Sequence, residues 1–174
     1  MNKIAIALST ALSLGLAASA NAATADVTFT GEILDATCSV RVGTGGTGTA
    51  VTLRKVAVAD VNGAVTARST PFTLVAGGGG AGGTCPAGDL KMAFSGANLE
   101  GKLSNSGTGA GDAKGVQLTL AHNGTELDLN RDEIQATVSA GTATYNMEAR
   151  YEQVGTTTVE KGDFTTTVKV DVFY

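Results

Sequence analysis

The chain closes on "FTTTVKVDVFY" (164–174), and the alternation in these eleven residues decides the fold. Val168, Val170, Val172 and Tyr174 fall on one face, with Thr167, Lys169, Asp171 and Phe173 on the other. Successive side chains of a strand point to opposite faces, so a period of two predicts a half-buried β-strand. The period runs to the final residue, with no turn and no hairpin partner after it. At the other end, "ATADVTFTGEILDATCSV" (23–40) places Val27, Phe29, Gly31 and Ile33 at alternate positions. If both stretches are sheet edges, each exposes unpaired backbone donors and acceptors, normally an aggregation hazard. Neither is blunted by proline, which suggests edges meant to be used.

Before that leading strand stands "MNKIAIALSTALSLGLAASANA" (1–22), which reads as an export signal. Lys3 supplies the positive start, Ile4 to Leu16 the apolar middle, and Ala20-Asn21-Ala22 the small-x-small pattern that a signal peptidase accepts. Cleavage is expected between Ala22 and Ala23. The apolar run is too short to span a bilayer. The remaining 152 residues suffice for one domain with a real core. They carry eleven Lys and Arg against sixteen Asp and Glu, a net charge of −5. That charge repels phosphate backbones and argues against nucleic acid as a partner. Cys38 and Cys85 both lie in the exported part. In an oxidising compartment an even pair reads as one disulfide, the alternative being two reduced buried thiols. A loop of roughly fifty residues closed this way would contribute on the order of 4 kcal/mol.

Between the termini, short alternating runs rich in Val and Thr are set apart by Gly, Asn, Asp and Ser, the pattern of an antiparallel sandwich or barrel. Strands are expected at 26–34, 37–42, 49–58, 71–76, 90–95, 115–121, 125–129, 143–153 and 164–174. "GTGGTG" (43–48), "GGGGAGG" (77–83) and "SNSGTGAGDAKG" (104–115) read as loops, and "LNRDEIQ" (129–135) as a short helical turn.

Motifs that carry chemistry are missing from the pattern. The glycine runs lack the Gly-Lys-Ser/Thr ending of a phosphate loop. Asp128, Asn130 and Asp132 begin like a calcium loop, but Glu133 stands where glycine is required and Ser139 where a bidentate Glu belongs. His122 is the only histidine, and with both cysteines oxidised no His-Cys metal site or Cys-His nucleophile pair can form. Asn123-Gly124-Thr125 matches the glycosylation sequon, which an export signal of this kind gives no reason to read as used. The carboxylate pairs Glu126/Asp128 and Glu148/Glu152 fit solvated strand faces. The expectation is a protein without catalytic, cofactor or metal site.

The pieces also occur in a known order. "VTFTGEILDATCSV" (27–40), "TPFTLVAG" (70–77) running into Cys85, "GVQLTL" (115–120), "YNMEARYEQVG" (145–155) and the terminal alternating strand resemble the major pilins of the chaperone–usher pathway, the subunits of type 1 and P-pilus-like fimbriae. The resemblance covers the whole chain after the signal. It implies an all-β, immunoglobulin-like sandwich lacking its last strand (34–174), preceded by an N-terminal donor-strand extension (23–33). It further implies that Val27, Phe29, Gly31 and Ile33 enter the groove of a neighbour, with Gly31 at a pocket too shallow for a side chain. Val168, Val170, Val172 and Tyr174 match the strand that a periplasmic chaperone grips, and Cys38 and Cys85 match the family disulfide. The implied partners are other pilin subunits in a head-to-tail filament, the chaperone and an outer-membrane usher. The implied location is the cell-surface fimbrium, reached through the periplasm.

Other classes fit less of the chain. A minor adaptor subunit shares the same pattern. A two-domain adhesin needs an additional lectin domain, and a chain without Trp is poorly equipped for sugar stacking. An eight-stranded outer-membrane barrel needs strands near ten residues and two aromatic girdles, against eight aromatic residues in total.

Overall fold

Nearly every ordered element in the computed structural model is a strand. It describes residues 38–43, 48–62, 65–78 and 83–174. The expected leading strand (26–34), with Val27, Phe29, Gly31 and Ile33, and the cleavage site at Ala22 and Ala23 lie outside the described residues. Leu34–Tyr174 form one compact unit.

The strands are β1 (Val40–Val42), β2 (Ser69–Gly77), β3 (Gly88–Ser95), β4 (Leu103–Ser104), β5 (Val116–His122), β6 (Thr125–Glu126), β7 (Glu133–Val138), β8 (Thr142–Gln153) and β9 (Lys169–Phe173). They build two antiparallel sheets. The larger runs β1-β2-β8-β5-β4, with β6 hairpinned onto β5; the smaller runs β7-β3-β9. The long strand β8 is central because it pairs along both edges, from Ser69↔Arg150 to Gly77↔Thr142 with β2 and from Val116↔Gln153 to His122↔Met147 with β5.

Alternation fixes which faces meet. Ala143, Tyr145, Met147 and Ala149 of β8 are buried, while Thr144 and Asn146 between them are exposed. Leu90, Met92 and Phe94 of β3 bury against them from the second sheet, and Ile134 of β7 joins the same core. The Tyr145 hydroxyl donates to the Leu90 carbonyl at 2.6 Å, a direct bond from one sheet to the other. Burial pushes that phenol up to about 12, so it remains a neutral donor at any physiological pH.

The Cys38–Cys85 disulfide ties the entry to β1 to the loop ahead of β3, with Cα atoms 4.8 Å apart. Gly77 sits close by at φ 73°, and a Cβ there would meet the Gly141 carbonyl oxygen and the Cys85 sulfur. Only glycine fits that approach.

Three expectations change. Residues 49–57 form no strand among the described residues and end in a 3-10 turn over Val58–Asp60. The stretch 129–135 is not a helical turn: a tight turn at 129–131 leads straight into β7. There Asp128 Oδ1 accepts the Asn130 N–H, and Asp132 Oδ2 accepts the Asp128 N–H, so these side chains stop the chain and turn it. At the C-terminus, pairing is confined to β9, because Ser95, at the end of β3, is paired with Lys169 and offers no partner to 164–168.

Candidate functional site: a cleft between two edge strands

Strand β3 pairs with β7 on one side and β9 on the other, so β9 ends the smaller sheet; β1 ends the larger one. Among the described residues no strand pairs with the outer edge of either. Between them runs an open cleft of about 960 Å³.

Its walls follow from the alternation of each element. Val168, Val170, Val172 and Tyr174 line one side. The three valines are half-buried and Tyr174 is 57% exposed. Lys169, Asp171 and Phe173 alternate with them, Phe173 opposite Lys91 and Asp171 opposite Ala93, and Asp171 also borders the cleft. The floor is apolar core: Phe72 and Leu74 from β2, Leu118 and Leu120 from β5, Phe94 from β3. On the far lip stand Val40 and Val42 of β1 and, later in the chain, Val51 and Leu53. The segment 49–53 is therefore a wall of the cleft rather than a strand of a sheet. Its period of two was visible in the sequence; its lack of a pairing partner was not.

The two ends of the cleft are unlike. At one, Cys38 and its disulfide hold β1 in place beside the 139–142 turn, whose Gly141 carbonyl accepts the Cys85 N–H at 3.1 Å. At the other, Phe164 stacks edge-on against Tyr151 with ring centroids 5.4 Å apart. The chain leading there is braced by the 104–115 loop: Ser106 N–H donates to the Thr165 carbonyl at 2.7 Å, and Ala113 N–H to that of Asp163 at 2.9 Å.

Polar side chains gather elsewhere, on the outer face of β5 and β8. Gln117 and Thr119 are only 2% exposed although they point away from the core. They are satisfied by neighbours: Asn98 Nδ2 donates to Gln117 Oε1 at 3.0 Å, and Thr119 Oγ1 to Glu152 Oε2 at 2.8 Å. Lys102 pairs with the same Glu152 and with Glu126. Burial alone would raise the Glu152 carboxyl, but hydrogen bonds from Lys102 and Thr119 and the charges of Lys102 and Arg68 outweigh it and hold it below its usual range. Gln117, Thr119, Lys102 and Glu152 are thus all engaged by neighbours. Arg68 reaches the Tyr151 carbonyl through its Nη1 and buries its Nε without a hydrogen-bond partner among the described residues. His122 lies 6.0 Å from the Tyr145 ring and contacts Asn123, and burial lowers its pKa.

The chain matches the fimbrial protein family over residues 27–174. It belongs to that family. Solved structures agree on the fold. The P pilus rod subunit PapA is 15% identical, with a TM-score of 0.55 over 80% of this chain and 99% of its own. The Burkholderia pseudomallei antigen and type I fimbria protein is 24% identical, with a TM-score of 0.53 over 80% and 99%. A chaperone–usher pilus structure is 16% identical, with a TM-score of 0.55 over 87% and 96%. No curated protein matches the sequence at a significant level. The chain is thus a fimbrial subunit with the all-β fold of pilins and a Cys38–Cys85 disulfide.

Proposed function

We propose that this fimbrial subunit polymerises by donor-strand exchange: residues 27–33 of one copy enter the cleft of the next and pair with the outer edge of β9. The observation that carries the reading is the match between the cleft wall and the leading segment. Val168 to Tyr174 is seven residues long, about 23 Å at roughly 3.3 Å per residue. Val27 to Ile33 is also seven. Each presents four alternate positions to the cleft side. Antiparallel addition is the more stable arrangement per residue. Main-chain bonds to an open edge supply affinity and the alternate side chains supply fit. Burying Val27, Phe29 and Ile33 would contribute about 5–9 kcal/mol before ordering costs. A contact that joins one surface of a subunit to a different surface of the next does not close, and grows as a filament.

The same cleft explains the need for help during export. An apolar groove in a free subunit invites aggregation, so a periplasmic chaperone would fill it with a strand of its own until an outer-membrane usher exchanges it for a subunit. The fibre then stands on the cell surface, and the subunit's role is structural rather than catalytic.

The test is a denaturing gel of purified mature protein run without boiling. A ladder of multimers that collapses on boiling, and that Phe29→Asp removes, is expected. A single monomer band from a chain that unfolds cooperatively, unchanged by deleting residues 23–33, would refute the reading.

A further inference from the structure

Part of the cleft wall belongs to no strand among the described residues. Phe164 to Val168 line the cleft, yet the pairing of β9 with β3 stops at Lys169, opposite Ser95. What fixes the start of this run is a side chain. Asn105 stands half-buried in the 104–115 loop. Its Nδ2 donates to the carbonyls of Ala113 and Asp163, both at 2.9 Å. Its Oδ1 accepts the N–H groups of Thr165 at 3.0 Å and Gly107 at 3.2 Å. Two donors and two lone pairs are the whole capacity of an asparagine amide, and all are used.

The bonding pattern is that of a missing strand. In a parallel ladder, one residue donates to the carbonyl just before its partner and accepts from the N–H just after it. The Asn105 amide does the same to Asp163 and Thr165, on either side of Phe164. The loop that carries it is itself fastened. Ser106 N–H donates to the Thr165 carbonyl at 2.7 Å, Asp163 N–H to the Gly111 carbonyl at 2.9 Å, and Gly109 N–H to Asp112 Oδ2 at 2.6 Å. Between the two clamped residues Phe164 meets the edge of Tyr151. Asn98 makes the contrast. Its Oδ1 accepts from Glu100 and Lys102 and its Nδ2 donates to Gln117 and Ser104, as many bonds, and none of them reaches 164–174.

We infer that Asn105 is a positioning residue of the cleft: its amide stands in for a neighbouring strand, so that the wall enters β9 already extended before a donor segment arrives. A wall set in advance leaves less to order on binding, which prolongs the joined state. The inference rests on the strand-exchange reading above. Polymers of the mature chain carrying Asn105→Ala are compared on unboiled gels, after timed heating, with those carrying Asn98→Ala. The Asn105→Ala ladder should dissociate roughly tenfold faster than the unmodified one, the scale of one or two hydrogen bonds. The Asn98→Ala ladder should stay within about twofold of it, since the bonds lost there do not touch the wall. Asn105→Asp keeps the acceptors and turns a carboxylate on the Ala113 and Asp163 carbonyls. Its ladder should dissociate faster than the unmodified one at neutral pH and close much of that gap in acid, where the protonated carboxyl regains one donor. Equal rates for Asn105→Ala and Asn98→Ala, or an Asn105→Asp gap that ignores pH, overturn the role and leave strand exchange standing. If Asn105→Ala yields no folded protein, the pH profile of Asn105→Asp decides alone. Absence of any ladder from the unmodified chain removes both readings.

Discussion

Strands β7 and β9 flank the same strand, β3, in the same antiparallel sense, and both alternate apolar with polar residues. Their fates differ. Ile134 of β7 is 3% exposed, covered by the core that β8 and Tyr145 complete. Val168, Val170 and Val172 are left half-buried on the wall of an open cleft. Alternation states that a strand has an apolar face; it does not state whose chain covers it. On the β7 side the cover is internal. On the β9 side the larger sheet stops at β1, whose three residues and the unpaired 49–53 segment leave the floor of Phe72, Leu74 and Leu118 within reach of a visitor. Aggregation-prone edges elsewhere are blunted by charge, and Glu133 on β7 pairs with Lys91 in that manner at 3.6 Å. β9 carries two exposed charges, Lys169 and Asp171, and Asp171 also borders the cleft.

The largest expected effect is on the closed side. Tyr145→Ala removes the most deeply buried aromatic ring and the bond to Leu90, and should cost about 3–5 kcal/mol in urea-unfolding free energy. It would leave little folded protein of any assembly state.

A matched pair of substitutions sharpens the contrast. Ile134→Ala should cost roughly 2–4 kcal/mol whether the chain is monomeric or polymerised, because its cavity is internal. Val170→Ala should cost under about 1 kcal/mol in a chain lacking residues 23–33, since the side chain is already half in water. In polymers the same change should lower the dissociation temperature measurably. Equal costs for Val170→Ala in both settings would mean that its covering comes from its own chain.

The smallest effect concerns the polar outer face. Glu152 is held below its usual range, so its contribution is present above the ordinary carboxylate pKa and is lost as pH falls through the folded value. Lys102 is raised: burial lowers it, but Glu152 and Glu126 more than compensate, so its share is lost only in strong alkali. Glu152→Gln should therefore destabilise by under about 1 kcal/mol at neutral pH, with the difference from the unmodified chain vanishing in acid. Thermal midpoints of the two proteins across pH would show it.

Much of this was legible from residues alone. The strands of β2, β3, β5 and β8 announced themselves by alternation between glycine-rich loops, and the cysteine pair by its export context. β7 was hidden because Asp128, Asn130 and Asp132 resemble a helical or calcium-binding turn. Instead the Asp128 and Asp132 carboxylates accept backbone N–H groups and Asn130 donates to Asp128 and Asn98, so that together they end one strand and launch the next. The 49–58 stretch carried a true β pattern without a neighbour to pair with, and pairing is not written in one strand. Gln117 and Thr119 gave no sign of burial, because the cover comes from Asn98 and Glu152, distant in sequence.

The most direct measurement adds a labelled peptide of residues 23–37 to the mature chain lacking residues 23–33. A stoichiometric complex that survives detergent without boiling, a melting temperature that climbs with peptide concentration as mass action requires, and no binding by the Phe29→Asp peptide are predicted. A folded chain whose melting temperature ignores the peptide at every concentration would contradict the account.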